Sequence, residues 1–104
     1  MKLVKITGAI AKAWLADVPQ EKRFWCSDGQ VMKNLPELEA ALKQMSEDTF
    51  RYHSNETKSD FGNWVRDVIG DEKLSRDLQK SSTRLQAIKS VADRIAWLRR
   101  KIET

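Results

Sequence analysis

Apolar residues recur along this chain mainly at helical intervals. Leu3, Ile6, Ile10, Ala13 and Trp14 lie on one helical face and predict a helix up to about Asp17, stopped before Pro19. Gly8 and the alternation from Lys2 to Ile6 leave a short first strand open as the alternative. Leu35, Leu38, Leu42 and Met45 form a clear stripe, with Asn34 placed to cap the helix and Pro36 and Glu37 suited to its first turn. Ser46 followed by Glu47 and Asp48 reads as another cap, giving a short helix to His53, although Thr49, Phe50 and Tyr52 equally suit a strand. Beyond a polar connector, Ser59 or Asp60 opens a helix with Phe61, Trp64, Val65 and Val68 facing inward, and Gly70 fits its left-handed end. Asp71 can cap the next helix, which carries Leu74 and Leu78. Ser81, Ser82 and Thr83 mark where residues 71–103 would divide if they are not one helix. The last, basic helix spans about 82–103, with Leu85, Ile88, Val91, Ala92, Ile95, Leu98 and Ile102 on one side.

One segment departs from this period. Arg23 to Met32 holds two apolar runs separated by Asp28-Gly29, a dipeptide that accepts the positive φ angles of a two-residue turn, so residues 22–33 predict a β-hairpin. That turn would set Cys26 opposite Val31 and Trp25 opposite Met32, with apolar side chains on both faces. Such a hairpin needs cover on both sides, from its own helices or from a second subunit. The expected fold is mainly α with one short β-hairpin (α+β), about five helices in a single compact domain over residues 1–104.

Composition fits that picture: 104 residues, 40% of them hydrophobic and four of them Trp, can fill one core. No apolar run approaches a membrane span, and the N-terminal stretch lacks the pattern of a secretory leader, so a cytoplasmic protein is expected. The single cysteine, Cys26, excludes an internal disulfide and any zinc site with two or more thiolates, and reads as a small apolar strand residue.

Charge is unevenly placed. Residues 1–60 carry nine Lys/Arg and nine Asp/Glu, whereas residues 61–104 carry ten and six, so the net +4 belongs to the C-terminal part. Arg84, Lys89, Arg94, Arg100 and Lys101 are therefore candidates for binding an anion or nucleic acid. Cations also solvate helix faces and favour helix C-termini, which is the simpler use of them. A DNA-reading helix-turn-helix around Gly70 is disfavoured. Arg66 occupies the position where its helices would cross closely, and Glu72 and Asp77 would oppose phosphate. Trp97 lies nearly opposite the centre of the last helix's apolar stripe, among charges. With Arg94 and Lys101 it is a candidate contact for a protein partner, or a second core contact if that helix is clasped on two sides.

His53 is the only histidine. Tyr52, Asp60 and Trp64 can gather around it, either as a ligand pocket or as a structural polar cluster in which a buried imidazole joins two segments. No paired-ligand spacing supports a metal site, and no catalytic motif is present. The tripeptide Asp60-Phe61-Gly62 matches the kinase metal-binding sequence, but the chain has none of the motifs that accompany it.

The order Phe24-x-x-x-Asp28-Gly29, Asn34-Leu35-Pro36-Glu37-Leu38, Phe50-x-Tyr52-His53-Ser54, Ser59-Asp60-Phe61-x-x-Trp64-Val65 and Gly70-Asp71-x-x-Leu74 resembles a prokaryotic domain family of unknown function. The resemblance covers about half the chain. It implies a helical fold and a functional surface around Tyr52, His53, Asp60 and Trp64, without a reaction. Some longer members carry an insertion where this chain has only Ser54 to Ser59.

Together these features favour a non-enzymatic domain that binds another protein or its own copy, with no cofactor. An anion or nucleic-acid adaptor using the basic C-terminal helix is the alternative. A ligand sensor or enzyme centred on His53 is the third reading.

Overall fold

The computed structural model describes residues 5–103. Its elements follow in the order α1 (Gly8–Leu15), β1 (Phe24–Trp25), β2 (Val31–Met32), α2 (Leu35–Gln44), α3 (Glu47–His53), α4 (Asp60–Trp64), α5 (Glu72–Lys80) and α6 (Arg84–Glu103). A short 3₁₀ turn over Gln20–Lys22 precedes the hairpin, and a π-helical turn over Val65–Ile69 extends α4. The fold is mainly helical with one antiparallel hairpin, and it has six α-helices among the described residues where about five were expected. The segment 47–53 is helical, and the chain divides at Ser81–Thr83 into two helices.

The caps explain these boundaries. Asn34 Oδ1 accepts from Glu37 N at 2.8 Å, and Glu37 Oε1 accepts in return from Lys33 N at 3.0 Å. Ser46, Ser59 and Asp71 accept from Thr49 N, Gly62 N and Leu74 N in the same way. Gly70 ends the π turn at φ +99°, and its N–H donates to Val65 O at 2.7 Å, closing an i to i+5 ring. At the other end, α1 starts at its Thr7 cap and stops at Leu15, two residues short of the expected end. Leu3 and most of the alternative strand at Lys2 to Ile6 lie outside the described residues.

Helices α1 and α2 both pack along α6, and α4 and its π turn pack against α5. The core gathers Leu35, Leu38, Leu42, Phe61, Val65, Leu74, Leu78, Val91 and Leu98, all essentially solvent-free. On α6 the buried stripe is Ala87, Val91, Arg94, Ile95 and Leu98. It is rotated from the expected one: Leu85 and Ile102 are exposed, while Arg94 is buried. The rotation follows from clasping α6 between α1 and α5, which draws the neighbouring Trp97 partly into the core.

The hairpin register also differs from expectation by one position. Phe24 pairs with Met32 and Trp25 with Val31. The loop has three residues, because Gly29 N donates to Cys26 O at 3.0 Å and Cys26 N donates to Gln30 O at 2.9 Å. Gly29 at φ +94° supplies the left-handed step of a type I turn closed by a bulge. Phe24, Cys26 and Met32 consequently face the core, while Trp25 and Val31 share the outer face. Among the described residues, no helix is long and apolar enough to cross a membrane.

Candidate functional site

The polar cluster around His53 is built by three segments. Ser59 caps α4, which frees the Asp60 carboxylate to meet the imidazole: His53 Nδ1 lies 3.0 Å from Asp60 Oδ2. On the other side, Ser27 N donates to His53 Nε2 at 3.0 Å. A nitrogen that accepts a backbone N–H carries no proton, so the neutral ring holds its hydrogen on Nδ1 and donates it to Asp60. Both ring nitrogens are engaged and the residue is only 5% exposed. The imidazole thus ties the hairpin loop to the α3–α4 connector, with no nitrogen left open to a ligand or a proton acceptor.

The other two residues expected here sit at different depths. Tyr52 is 61% exposed, stands edge-on to His53 with ring centroids 4.9 Å apart, and carries Lys58 Nζ 4.7 Å from its ring centroid. Lys58 also pairs with Asp60 Oδ2 at 3.1 Å. Trp64 is buried, packs at 6.0 Å on Phe24, and donates from Nε1 to Lys22 O at 2.8 Å. Phe24 stands between the two parts of the cluster, with His53 and Phe61 also against its ring. Tyr52, His53 and Asp60 are brought together; Trp64 serves the core and the 3₁₀ turn that leads into the hairpin. Among the described residues no group of three His, Cys, Asp or Glu side chains is placed to hold a metal ion.

The braced hairpin presents Trp25, 70% exposed, beside Val31, 37% exposed. Sequence reasoning placed apolar side chains on both faces but did not single out Trp25, because the register that leaves it outermost depends on the loop length. Behind it, burial pushes the Cys26 thiol above its ordinary pKa, so it is held as a neutral apolar group. At the loop tip, hydrogen bonds from Gln30 N and the Gln30 side-chain amide hold Asp28 below the usual carboxylate range.

Most of the cations considered for an anion site are committed within the fold. Arg94 donates from Nε to Asp71 Oδ2 at 2.7 Å and from the terminal Nη2 to Asp71 Oδ1 at 3.0 Å, in a buried bidentate pair. Its guanidinium lies over Trp97 at 4.4 Å and near Trp14 at 5.9 Å. Arg94 is therefore part of the core and not of an open charged face. Lys101 stacks on Trp97 with Nζ 5.0 Å from the ring centroid. Arg84 donates to Glu47 at 2.8 Å and to the carbonyls of Leu42 and Lys43, closing the C-terminal end of α2. Lys89 pairs with Asp93 one turn along α6. Arg100 is exposed and lines an open groove of about 750 Å³ between α5 and α6. The partner that buries Arg94 was legible only as a helix cap, because nothing in the spacing from Asp71 to Arg94 shows that the same carboxylate also meets α6.

No protein-family model, no curated protein and no solved structure matches the chain.

Proposed function

We propose that this protein is a non-enzymatic interaction domain that associates with a second copy of itself through the outer face of the hairpin. The observation that carries this reading is Trp25 at 70% exposure, paired with Val31 on a two-stranded hairpin. An indole held on rigid backbone loses little conformational freedom on docking and offers a large apolar surface, as interface anchors do. His53 supplies the rigidity by holding Ser27, so its two engaged nitrogens support a positioning role and weigh against chemistry at the ring. Charge permits a second copy as occupant. Residues 1–60, which include the hairpin, have equal numbers of acidic and basic residues, so two copies can meet there without opposing their net +4. The patch is small, which suits a weak, reversible dimer.

Sedimentation equilibrium over a wide concentration range tests the proposal. A monomer–dimer equilibrium is expected, and Trp25→Ser should shift it to monomer while leaving unchanged the melting temperature read at dilutions where the parent is monomeric. A monomer at every concentration, or a dimer indifferent to Trp25→Ser, would overturn the reading.

A further inference from the structure

The groove between α5 and α6 lies in the part of the chain that carries the charge excess, and no internal element fills it. Five cations and two carboxylates line it. Their arrangement is not uniform. Lys73 pairs with Asp77 at 2.7 Å along α5, and Lys89 with Asp93 at 3.0 Å along α6. Arg94 is spent on Asp71. Lys80 and Arg100 remain, exposed and forming no ion pair among the described residues. Gln86 accepts from Ser82 N at 2.8 Å, which places it at the turn just after Lys80. Arg100 is fourteen residues further along α6, or about 21 Å at the helical rise. The free positive charge therefore stands at the two ends of the groove, with compensated pairs and the Ser90 hydroxyl between them. At the Arg100 end, the partly buried Trp97 adds an apolar edge.

We infer that this groove binds an acidic peptide segment of a partner protein, one with carboxylates near both ends and an apolar side chain beside the carboxylate that meets Arg100. A nucleic acid fits the pattern less well. Its phosphates recur every few ångströms and would meet Asp77 and Asp93 in the middle of the groove, whereas a peptide can leave that stretch neutral. Arg94 and Lys101 already lie over the Trp97 ring, which makes it a poorer platform for base stacking. The site is independent of self-association through the hairpin.

Titration of the ¹⁵N-labelled protein with a synthetic peptide of about seven residues, which spans about 20 Å when extended, with glutamates at both ends and leucine beside one of them, tests the inference. Amide shifts should move within 73–81 and 86–101. Lys80→Glu together with Arg100→Glu, both exposed positions, should weaken binding by about tenfold or more. The loss of two cations from the last turns of α5 and α6 should lower the melting temperature only slightly and leave the helical circular dichroism unchanged. Trp25→Ser should bind as the parent does. Absence of shifts in this groove, or undiminished affinity of the double variant, would overturn the proposal. So would tighter binding of a DNA oligonucleotide of equal charge, which would make the ligand a phosphate polymer.

Discussion

His53 illustrates how one side chain can settle the use of a whole cluster. Truncating it strands the partly shielded Ser27 amide and leaves the Asp60 carboxylate to Lys58 alone, so His53→Ala should cost about 1 to 3 kcal/mol in chemical denaturation. The Ser27 amide should then exchange with solvent faster than in the parent. His53→Gln, which can keep one of the two bonds, should fall between. An unchanged stability in His53→Ala would refute the bracing role. Asp28 gives a pH signature at the same loop. Its folded-state pKa lies below the ordinary value of 3.8, because Gln30 donates to the charged form. The stability it contributes is therefore present above about pH 4 and lost as pH falls through the lowered value. Melting temperatures followed from pH 7 to pH 2 should show the gap between the parent and Asp28→Ala narrowing below pH 4. A gap that stays constant would mean that the carboxylate's charge is irrelevant to the loop.

At the scale of elements, what was legible in the sequence is what local chemistry decides. Asn34, Ser46, Ser59 and Asp71 cap helices through contacts three residues away, and Gly70 takes the left-handed angle a helix end needs; each of these is written within one turn of chain. The hairpin existed in the sequence as Asp28-Gly29, but its register did not. A two-residue loop needs positive φ at both Asp28 and Gly29 whereas the three-residue loop needs it at Gly29 alone, and the burial of Phe24 and Met32 on one face goes with the latter. Helix crossing was equally hidden. Close approach was sought near Arg66, which is exposed and pairs with Asp67; it occurs four residues earlier, at Gly62, where Ser75 Oγ donates to Gly62 O at 2.7 Å. A Cβ there would stand 2.9 Å from Gln79 Cγ and 3.0 Å from the Ser75 carbonyl oxygen. The glutamine can swing aside but the backbone of α5 cannot, so Gly62→Ala should destabilise by about 1 to 3 kcal/mol through overcrowding. Gly29→Ala meets open space and should lose about 1 kcal/mol, from its φ alone. A Gly62→Ala variant that unfolds in urea as the parent does, or loses less than Gly29→Ala, would contradict this account of the α4–α5 contact.

The molecule as a whole is organised around the point where α1, α5 and α6 converge. Trp14 comes from α1, Asp71 from the start of α5, and Arg94 and Trp97 from α6, with the guanidinium lying between the two indoles while it grips the carboxylate. The Asp71 side chain is fully buried, and it also caps α5 through Leu74 N. Its charge is tolerable only because Arg94 answers it, and the two residues are separated by the whole of α5, the turn that follows and the first half of α6. This is why the charged face read from the α6 sequence turned inward: the helix buries a cation whose counter-ion lies in another element. Removing Arg94 alone should therefore cost more than removing both. Arg94→Leu leaves an uncompensated buried carboxylate and should destabilise by about 3 to 5 kcal/mol. Asp71→Asn keeps an oxygen for the cap and leaves a cation that can turn toward solvent, so its loss should be smaller. Asp71→Asn combined with Arg94→Leu restores neutrality within an apolar surround, and its total loss should fall below that of Arg94→Leu alone. Urea denaturation of the four proteins reads this coupling directly. Losses that simply add would show that the pair does not hold the three helices together.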